Sequence, residues 1–204
     1  IATANRLRPA FVVVTGDLVN RAGDAAQAAE YRRITAKLDP AIRVYHVPGN
    51  HDVTPETLTV YRERFGADYY TFRAGDLAGF VLNTTLFTPG LEGEEKRQEA
   101  WLRAELAQAR REGAKHLVVF QHHPFFLKDP EEKDAYFNVP LAVRAKYLEL
   151  LRAHGVTHVF AGHYHRNAGG RAGALEMITT GPVGKPLGQG TRSGLRIGIV
   201  RASG

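Results

Sequence analysis

The length and composition of the chain are those of an ordinary globular domain. It has 204 residues, of which 44% are hydrophobic and 24% are charged, and no apolar run approaches the roughly eighteen residues that a membrane span requires. The lack of cysteine excludes disulfide scaffolds, thiolate metal sites and cysteine nucleophiles, so the nine histidines must carry any transition-metal chemistry. The net charge of +6 favours an anionic ligand, but the basic residues are too scattered to predict stable nucleic-acid binding.

Residues 1–204 are predicted to form one domain, because no repeat, low-complexity tract or linker divides them. The first residue is Ile1 rather than Met, so we expect this domain to be incomplete at its N-terminus. A cytoplasmic protein is the default expectation, and a signal peptide upstream of Ile1 would change it.

Four short apolar runs alternate with helical patterns, which predicts an α/β fold whose strands are buried on both faces. The runs are residues 11–14, 42–47, 116–120 and 156–161. Apolar periodicity with proline and glycine at the ends predicts helices over residues 24–38, 55–65, about 101–113 and 140–155. Residues 69–73 and 80–83 predict a hairpin, residues 175–180 and 195–200 predict two further strands, and residues 125–140 are expected to form a loop over a site.

Each apolar run is followed within two or three residues by a turn that carries a polar side chain. These side chains are Asp17, Asn50, His122 and His163. If the runs form neighbouring parallel strands, all four turns lie at their carboxyl ends, where open α/β sheets build their sites. A carboxylate, an amide oxygen and imidazoles form a mixed ligand set that suits zinc, manganese or iron. The sequence therefore predicts a metal site that is built from loops.

Four blocks of sequence, in this order, resemble the signature of the calcineurin-like metallophosphoesterases. They are Gly16-Asp17, Gly49-Asn50-His51-Asp52, His122-His123-Pro124 and Gly162-His163-Tyr164-His165. The context of the last two blocks is similar to the calcineurin-like phosphoesterase domain-containing subfamily, whose animal members resemble serine/threonine protein phosphatases. The resemblance spans about residues 12–200 and implies a layered αββα sandwich, with two mixed sheets face to face and helices outside.

The resemblance also implies a centre with two metal ions, which are manganese, iron or zinc. Asp17 is implied to bridge both ions, because a carboxylate has two oxygens. Asn50, His122 and His163 are implied to bind the second ion, and His165 the first. An extended backbone through His163 and His165 is expected to turn both imidazoles to the same side.

Several other residues are candidates for contact with a substrate. By the same resemblance, His51 stands over the leaving-group oxygen as a proton donor, with Asp52 fixing the tautomer or the charge of its ring. Arg166 and Asn167 follow the last predicted ligand and are candidate contacts to a phosphate oxygen, as is His123. Packed or solvated loop residues are an equally good interpretation of these three.

One block of the family has no counterpart in the chain. The family carries Asp-x-His or Asp-x-Gln on a first strand, and residues 1–10 contain neither aspartate nor histidine, so we expect that strand to lie upstream. The implied function is metal-dependent hydrolysis of phosphate esters by in-line attack of activated water, with phosphorylated small molecules or phosphoproteins as substrates. A phosphodiesterase acting on cyclic nucleotides or nucleic acid is one alternative. A non-catalytic scaffold or phosphate-binding protein with a single metal ion is another.

Overall fold

The computed structural model describes residues 1–188, 190 and 192–201. The helices of these residues are α1 (Ala2–Leu7), α2 (Ala25–Thr35), α3 (Leu58–Phe65), α4 (Glu92–Arg111) and α5 (Leu141–Ala153), with a 3₁₀ helix over Thr84–Phe87. The strands are β1 (Phe11–Val14), β2 (Arg43–His46), β3 (Tyr70–Ala74), β4 (Leu77–Val81), β5 (His116–Phe120), β6 (His158–Ala161), β7 (Ala168–Ala172) and β8 (Leu175–Thr179). The predicted helices α2 to α5 and the hairpin of β3 and β4 are confirmed, whereas α1 and β7 have no counterpart among the predictions.

Short polar side chains set the start of two helical segments. Asp24 caps α2, because its carboxylate accepts the backbone N–H of Gln27 at 3.0 Å. Asn83 does the same for the 3₁₀ helix, where its side-chain oxygen accepts the backbone N–H of Thr85 at 3.0 Å. Each cap satisfies a backbone donor that the helix itself leaves unpaired.

The strands form two sheets. β1 and β2 pair in parallel, with Phe11 opposite Arg43 and Val14 opposite His46. The larger sheet has the order β3-β4-β5-β6-β8-β7, in which β3 and β7 run antiparallel to their neighbours and the other pairs are parallel. The four apolar runs are therefore not neighbours in one sheet, because two of them lie in each sheet. Only the larger sheet is mixed, since the described strands of the smaller one are parallel.

Aromatic side chains fill the space between the two sheets. Phe72 of β3 stacks on Tyr45 of β2 with ring centroids 3.7 Å apart, and it meets Phe11 of β1 at 5.1 Å. Phe120 of β5 lies 5.8 Å from Phe72 and 5.5 Å from Phe160. Rings of this size bury much apolar surface and so hold the sheets face to face.

Helices cover the outer face of each sheet. The core on the larger sheet includes Leu102, Leu106, Tyr147 and Leu151 from α4 and α5 and Leu117 and Val119 from β5. The core beside the smaller sheet includes Leu18, Val53, Leu58 and Tyr61. The layers are helix, sheet, sheet and helix, which confirms the predicted αββα sandwich. Over the described residues, none of the helices combines the length and the apolar character needed to cross a bilayer.

The predicted strand over residues 195–200 is wrong. Residues 192–201 contain neither helix nor strand, and Leu195, Ile197 and Ile199 are exposed. Alternating apolar residues favour a strand only where a neighbouring strand shares its hydrogen bonds. Within the part of the chain that the structure describes, this segment has no such neighbour.

His46, at the end of β2, makes the stability of the fold depend on pH. Its ring packs against those of Tyr31 and Phe65, with centroids 5.6 and 6.3 Å away, and burial lowers its pKa. The unfolded chain then binds the proton more readily, so the free energy of unfolding falls as the pH drops below the unfolded pKa of about 6.5. Urea unfolding at about pH 7.5 and at about pH 5.5 measures this effect. Between these two pH values, we expect the free energy of unfolding to fall further in the wild type than in His46→Phe. Equal losses in the two proteins would contradict this assignment.

Candidate metal centre

Four polar side chains from the ends of four strands meet at one point. His122 lies in the turn after β5, and its Nε2 is 3.0 Å from Asn50 Oδ1, 3.2 Å from His163 Nδ1 and 3.3 Å from Asp17 Oδ1. Asp17 and Asn50 follow β1 and β2, and His163 follows β6. The structure thus brings together four of the five residues that the sequence predicts as ligands, and these four are referred to below as the four-residue cluster.

Two glycines allow this close approach. A Cβ atom on Gly16 would collide with the ring of His122, and one on Gly49 would collide with the carboxylate of Asp17. Gly16 also has a φ of 98°, a conformation that residues with a Cβ rarely adopt. The Gly-Asp and Gly-Asn pairs of the sequence therefore let the predicted ligands pack directly on one another.

Backbone carbonyls determine which ring nitrogen of each histidine carries the proton. His122 Nδ1 lies 2.7 Å from the carbonyl oxygen of Thr15, and His163 Nε2 lies 3.1 Å from that of Tyr136. A carbonyl oxygen only accepts, so these two ring atoms carry the N–H. The lone pairs of His122 Nε2 and His163 Nδ1 consequently face each other inside the cluster.

The donor set of the four-residue cluster fits a metal ion. Two ring lone pairs, a carboxylate oxygen and an amide oxygen converge with no proton between them, and such a group needs a cation for balance. Ligand atoms bound at about 2.0–2.1 Å to one ion lie about 3.0–3.4 Å from one another. The distances from His122 Nε2 to the other three atoms are 3.0, 3.2 and 3.3 Å. Nitrogen and oxygen donors in this combination suit manganese, iron or zinc.

Burial keeps the histidines of the cluster neutral. Burial lowers the pKa of His122 to about 4, although the nearby charge of Asp17 acts to raise this pKa. Burial also lowers the pKa of His163. A neutral imidazole binds a metal ion without first losing a proton, so both rings are prepared for metal at neutral pH.

His165, the fifth predicted ligand, lies beside the cluster. Its Nδ1 is buried and has no hydrogen-bond partner among the described residues, which is costly unless a ligand completes it. Burial is the main cause of the lowered pKa of His163, and the nearby His165 ring adds to it. The expected extended backbone is wrong, however, because His163 and His165 have φ values of 61° and 57° and form a left-handed turn.

The predicted contact between His51 and Asp52 is also wrong. The Asp52 carboxylate accepts the backbone N–H groups of Val19 at 2.9 Å and Gly49 at 2.8 Å. Burial raises the pKa of Asp52 to about 6, although these hydrogen bonds act to lower it. His51 Nδ1 lies 3.0 Å from the carbonyl oxygen of Asn20, and because a carbonyl oxygen only accepts, this nitrogen carries the N–H. Asp52 ties two ligand loops together, and a backbone carbonyl orients His51.

His123 adds a further imidazole to the centre. Its ring centroid lies 4.3 Å from that of His163 and 5.0 Å from that of His122, and the three rings are close enough to hold one ion. Thr84 Oγ1 accepts the backbone N–H of His123 at 3.0 Å and lies 2.8 Å from its Nδ1. Burial holds the pKa of the ring well below its ordinary value. The structure therefore places a neutral, oriented His123 against the predicted ligands.

Arg166 and Asn167 are engaged with the segment that follows β8. Arg166 Nε donates to the carbonyl oxygen of Leu187 at 3.0 Å, and its guanidinium lies 5.7 Å from the centre of the Tyr164 ring. Asn167 Oδ1 accepts the backbone N–H of Gly181 at 3.0 Å. Both side chains hold this segment in place, and their contact with a phosphate oxygen stays a prediction.

Four groups of the site have no counterpart in the sequence predictions. They are the carbonyls of Thr15, Asn20 and Tyr136 and the hydroxyl of Thr84. A carbonyl leaves no residue-type signal, because every residue has one. Thr84 did have a signal, since it follows strand β4 in the same way as the predicted ligands follow theirs.

A family comparison covers the whole of this centre. Residues 2–167 match the model of the family described as calcineurin-like phosphoesterase. The chain belongs to this family. The resemblance drawn from the four sequence blocks is confirmed, and the match includes every residue of the four-residue cluster as well as His51 and His165.

A relative among curated proteins is similar over nearly all of the chain. It is the serine/threonine-protein phosphatase CPPED1 of Danio rerio, which is 36% identical over 203 residues. The alignment covers 95% of this chain and 65% of the relative. The chain therefore spans just under two thirds of the length of that family member.

Two solved structures of the same architecture superpose on the chain. A dimetal phosphatase from Danio rerio gives a TM-score of 0.64 at 18% identity, over 88% of this chain and 75% of that one. GAP50, the anchor in the inner membrane complex of Plasmodium, gives 0.69 at 16% identity, over 96% and 68% of the two chains. At these identities the likeness shows a shared fold and nothing finer.

Proposed function

We propose that this protein hydrolyses phosphate monoesters in a metal-dependent reaction. The observation that carries the proposal is the four-residue cluster, in which lone pairs from four strand ends converge with no proton between them. Membership of the phosphoesterase family supports the reaction class. The protein phosphatase among its relatives supports phosphorylated proteins or small phosphorylated molecules as substrates.

Two metal ions complete the centre in this proposal. The four-residue cluster would hold one, and His165 and Asp17 would contribute ligands to the other. Manganese, iron and zinc all accept such donors. When bound, ions in this arrangement neutralise phosphate oxygens and acidify water, which gives a nucleophile near neutral pH.

His51 supplies the proton for the leaving group. In its doubly protonated form the ring holds the carbonyl oxygen of Asn20 with Nδ1–H and transfers the Nε2 proton to the ester oxygen as the P–O bond breaks. The ring then remains as the neutral Nδ1–H tautomer. Asp52 keeps the loops of His51 and Asp17 in register through its hydrogen bonds to Val19 and Gly49.

His123 holds a phosphate oxygen in this proposal. In this proposal the Thr84 hydroxyl, which accepts the backbone N–H of His123, donates its own proton to Nδ1 of the ring. With that arrangement the ring proton is on Nε2, which donates a hydrogen bond to the phosphate oxygen. Arg166 and Asn167 are further candidate phosphate contacts, whose bonds to Leu187 and Gly181 would give way to the substrate.

Removal of metal tests the proposed function. The cluster has ligand atoms but no positive charge of its own, so hydrolysis needs the ions. We expect chelation of the full-length protein to reduce hydrolysis of para-nitrophenyl phosphate by about a hundredfold or more. Manganese, iron or zinc should restore it, with phosphate release and metal content measured on the same samples.

The outcomes of this experiment separate the alternatives. Turnover that requires two ions per chain supports a dinuclear phosphoesterase, and turnover that persists without metal contradicts it. One bound ion without turnover identifies the non-catalytic alternative. Faster cleavage of bis(para-nitrophenyl) phosphate than of the monoester identifies a phosphodiesterase.

A further inference from the structure

One aromatic side chain differs from all the others in its exposure. The chain has one tryptophan, eight tyrosines and ten phenylalanines, all within the described residues, and among them only Tyr136 is exposed. Water reaches 71% of its surface. An aromatic ring left in water forgoes the free energy that burial would bring. Its position therefore calls for a physical explanation.

Tyr136 lies directly at the metal centre. Its carbonyl oxygen is 3.1 Å from Nε2 of His163, and its ring centroid is 5.0 Å from that of the His163 ring. Phe137 stands beside it, with its ring 5.1 Å from Tyr136 and 5.7 Å from His163, and Tyr164 lies 5.2 Å from Phe137. These rings form an apolar wall along the centre, and Tyr136 is the open part of that wall.

The loop that carries Tyr136, residues 125–140, is held in a fixed shape. The Glu132 carboxylate accepts the backbone N–H groups of residues 127, 128 and 129 at 2.8, 3.0 and 3.2 Å. Arg144 is fully buried beneath the loop and donates to the carbonyl oxygens of Pro130 at 2.9 Å and Val139 at 3.2 Å. A ring on such a preorganised loop binds a ligand with little further loss of conformational entropy.

We propose that Tyr136 determines specificity by packing against an aromatic ring on the substrate's ester oxygen, so that aryl phosphates are the preferred substrate class. This inference rests on the proposed phosphomonoesterase function. Aromatic rings pack with centroids about 4.5–7 Å apart, and the Tyr136 ring is 5.0 Å from the ring of a predicted ligand. A ring joined through one ester oxygen to a phosphate bound at the centre would come within this distance of Tyr136. A short alkyl group offers no flat face to it.

Binding of two non-hydrolysable phosphonates tests this inference without turnover. In calorimetric titrations of the metal-loaded, full-length protein, we expect benzylphosphonate, in which a methylene replaces the ester oxygen, to bind more tightly than ethylphosphonate. Tyr136→Ala should reduce that preference by about three- to tenfold, and Tyr136→Phe should retain it, because the ring and not the hydroxyl makes the contact. Metal content should be unchanged, since Tyr136 holds His163 through its backbone carbonyl.

A matched control lies on the same loop. Glu131 is exposed, and Glu131→Gln should leave the preference for benzylphosphonate unchanged. An equal preference in the wild type and Tyr136→Ala, equal weakening of both phosphonates, or no binding of either would each overturn the inference. Ring preference in a protein that hydrolyses no phosphate ester would support the inference and refute the proposed function, so the two failures are distinguishable.

Discussion

Replacement of Asp17 by asparagine is expected to reduce hydrolysis of phosphate esters by about a thousandfold or more while the protein stays folded. The carboxylate offers two oxygens and a negative charge, whereas the amide offers one oxygen and no charge. The fold should persist because asparagine tolerates the φ of 55° found at this position. Its side-chain oxygen can still accept the backbone N–H of His51, which is 3.1 Å from Asp17 Oδ1.

Activity, metal content and thermal stability of Asp17→Asn should be measured together. The rate and the number of bound ions should fall, and the unfolding temperature of the metal-free protein should stay close to that of the wild type. Glu63→Gln is a suitable control, because it neutralises an exposed carboxylate on α3 and should change neither quantity. Full activity of Asp17→Asn on para-nitrophenyl phosphate would refute the bridging role.

Replacement of His51 by alanine is expected to lower the rate by about 10²- to 10⁴-fold, with the largest loss for poor leaving groups. An ester oxygen with a high pKa needs a proton as it leaves, whereas a nitrophenolate departs without one. The metal ligands should be unaffected, because His51 contacts Asp17 only through its backbone N–H, which alanine retains. Metal content therefore serves as the internal control.

A series of aryl phosphates with different leaving-group pKa values measures this effect. The logarithm of kcat/KM should depend more steeply on leaving-group pKa in His51→Ala than in the wild type. His116→Ala is the matched control, since His116 begins β5 at the end of the strand opposite to His122, and its dependence should equal that of the wild type. An equal loss for every leaving group in His51→Ala would exclude the role of proton donor.

Local patterns made much of the fold predictable, and they also identified the side chains that meet in the four-residue cluster. An apolar run that ends in a polar turn is a short-range signal, so β1, β5 and β6 could be located together with Asp17, His122 and His163. The same signal could not reveal that the runs divide between two sheets, because strand pairing depends on residues far apart in the sequence. The segment 195–200 was wrongly predicted as a strand for that reason.

Contacts made by backbone atoms could not be predicted from the sequence. The carbonyl oxygens of Thr15, Asn20 and Tyr136 orient the histidines of the centre, yet the same atoms occur in every residue. Asp52 illustrates the opposite error. His51 is its neighbour in the sequence and was therefore predicted to be its partner. The actual partners of Asp52 are two backbone N–H groups, and only the path of the loops identifies them.

The residues of the centre that have positive φ lower the stability of the fold, although the proposed activity needs them. Among the described residues, four that are not glycine have positive φ, namely Arg8, Asp17, His163 and His165, and such a conformation costs about 1 kcal/mol or more at an ordinary side chain. At His165, glycine would relieve that cost and would also remove the unpartnered buried Nδ1. Selection of the metal-free protein for heat resistance alone is therefore expected to favour loss of this predicted ligand, and improvement of the protein requires selection for turnover at the same time.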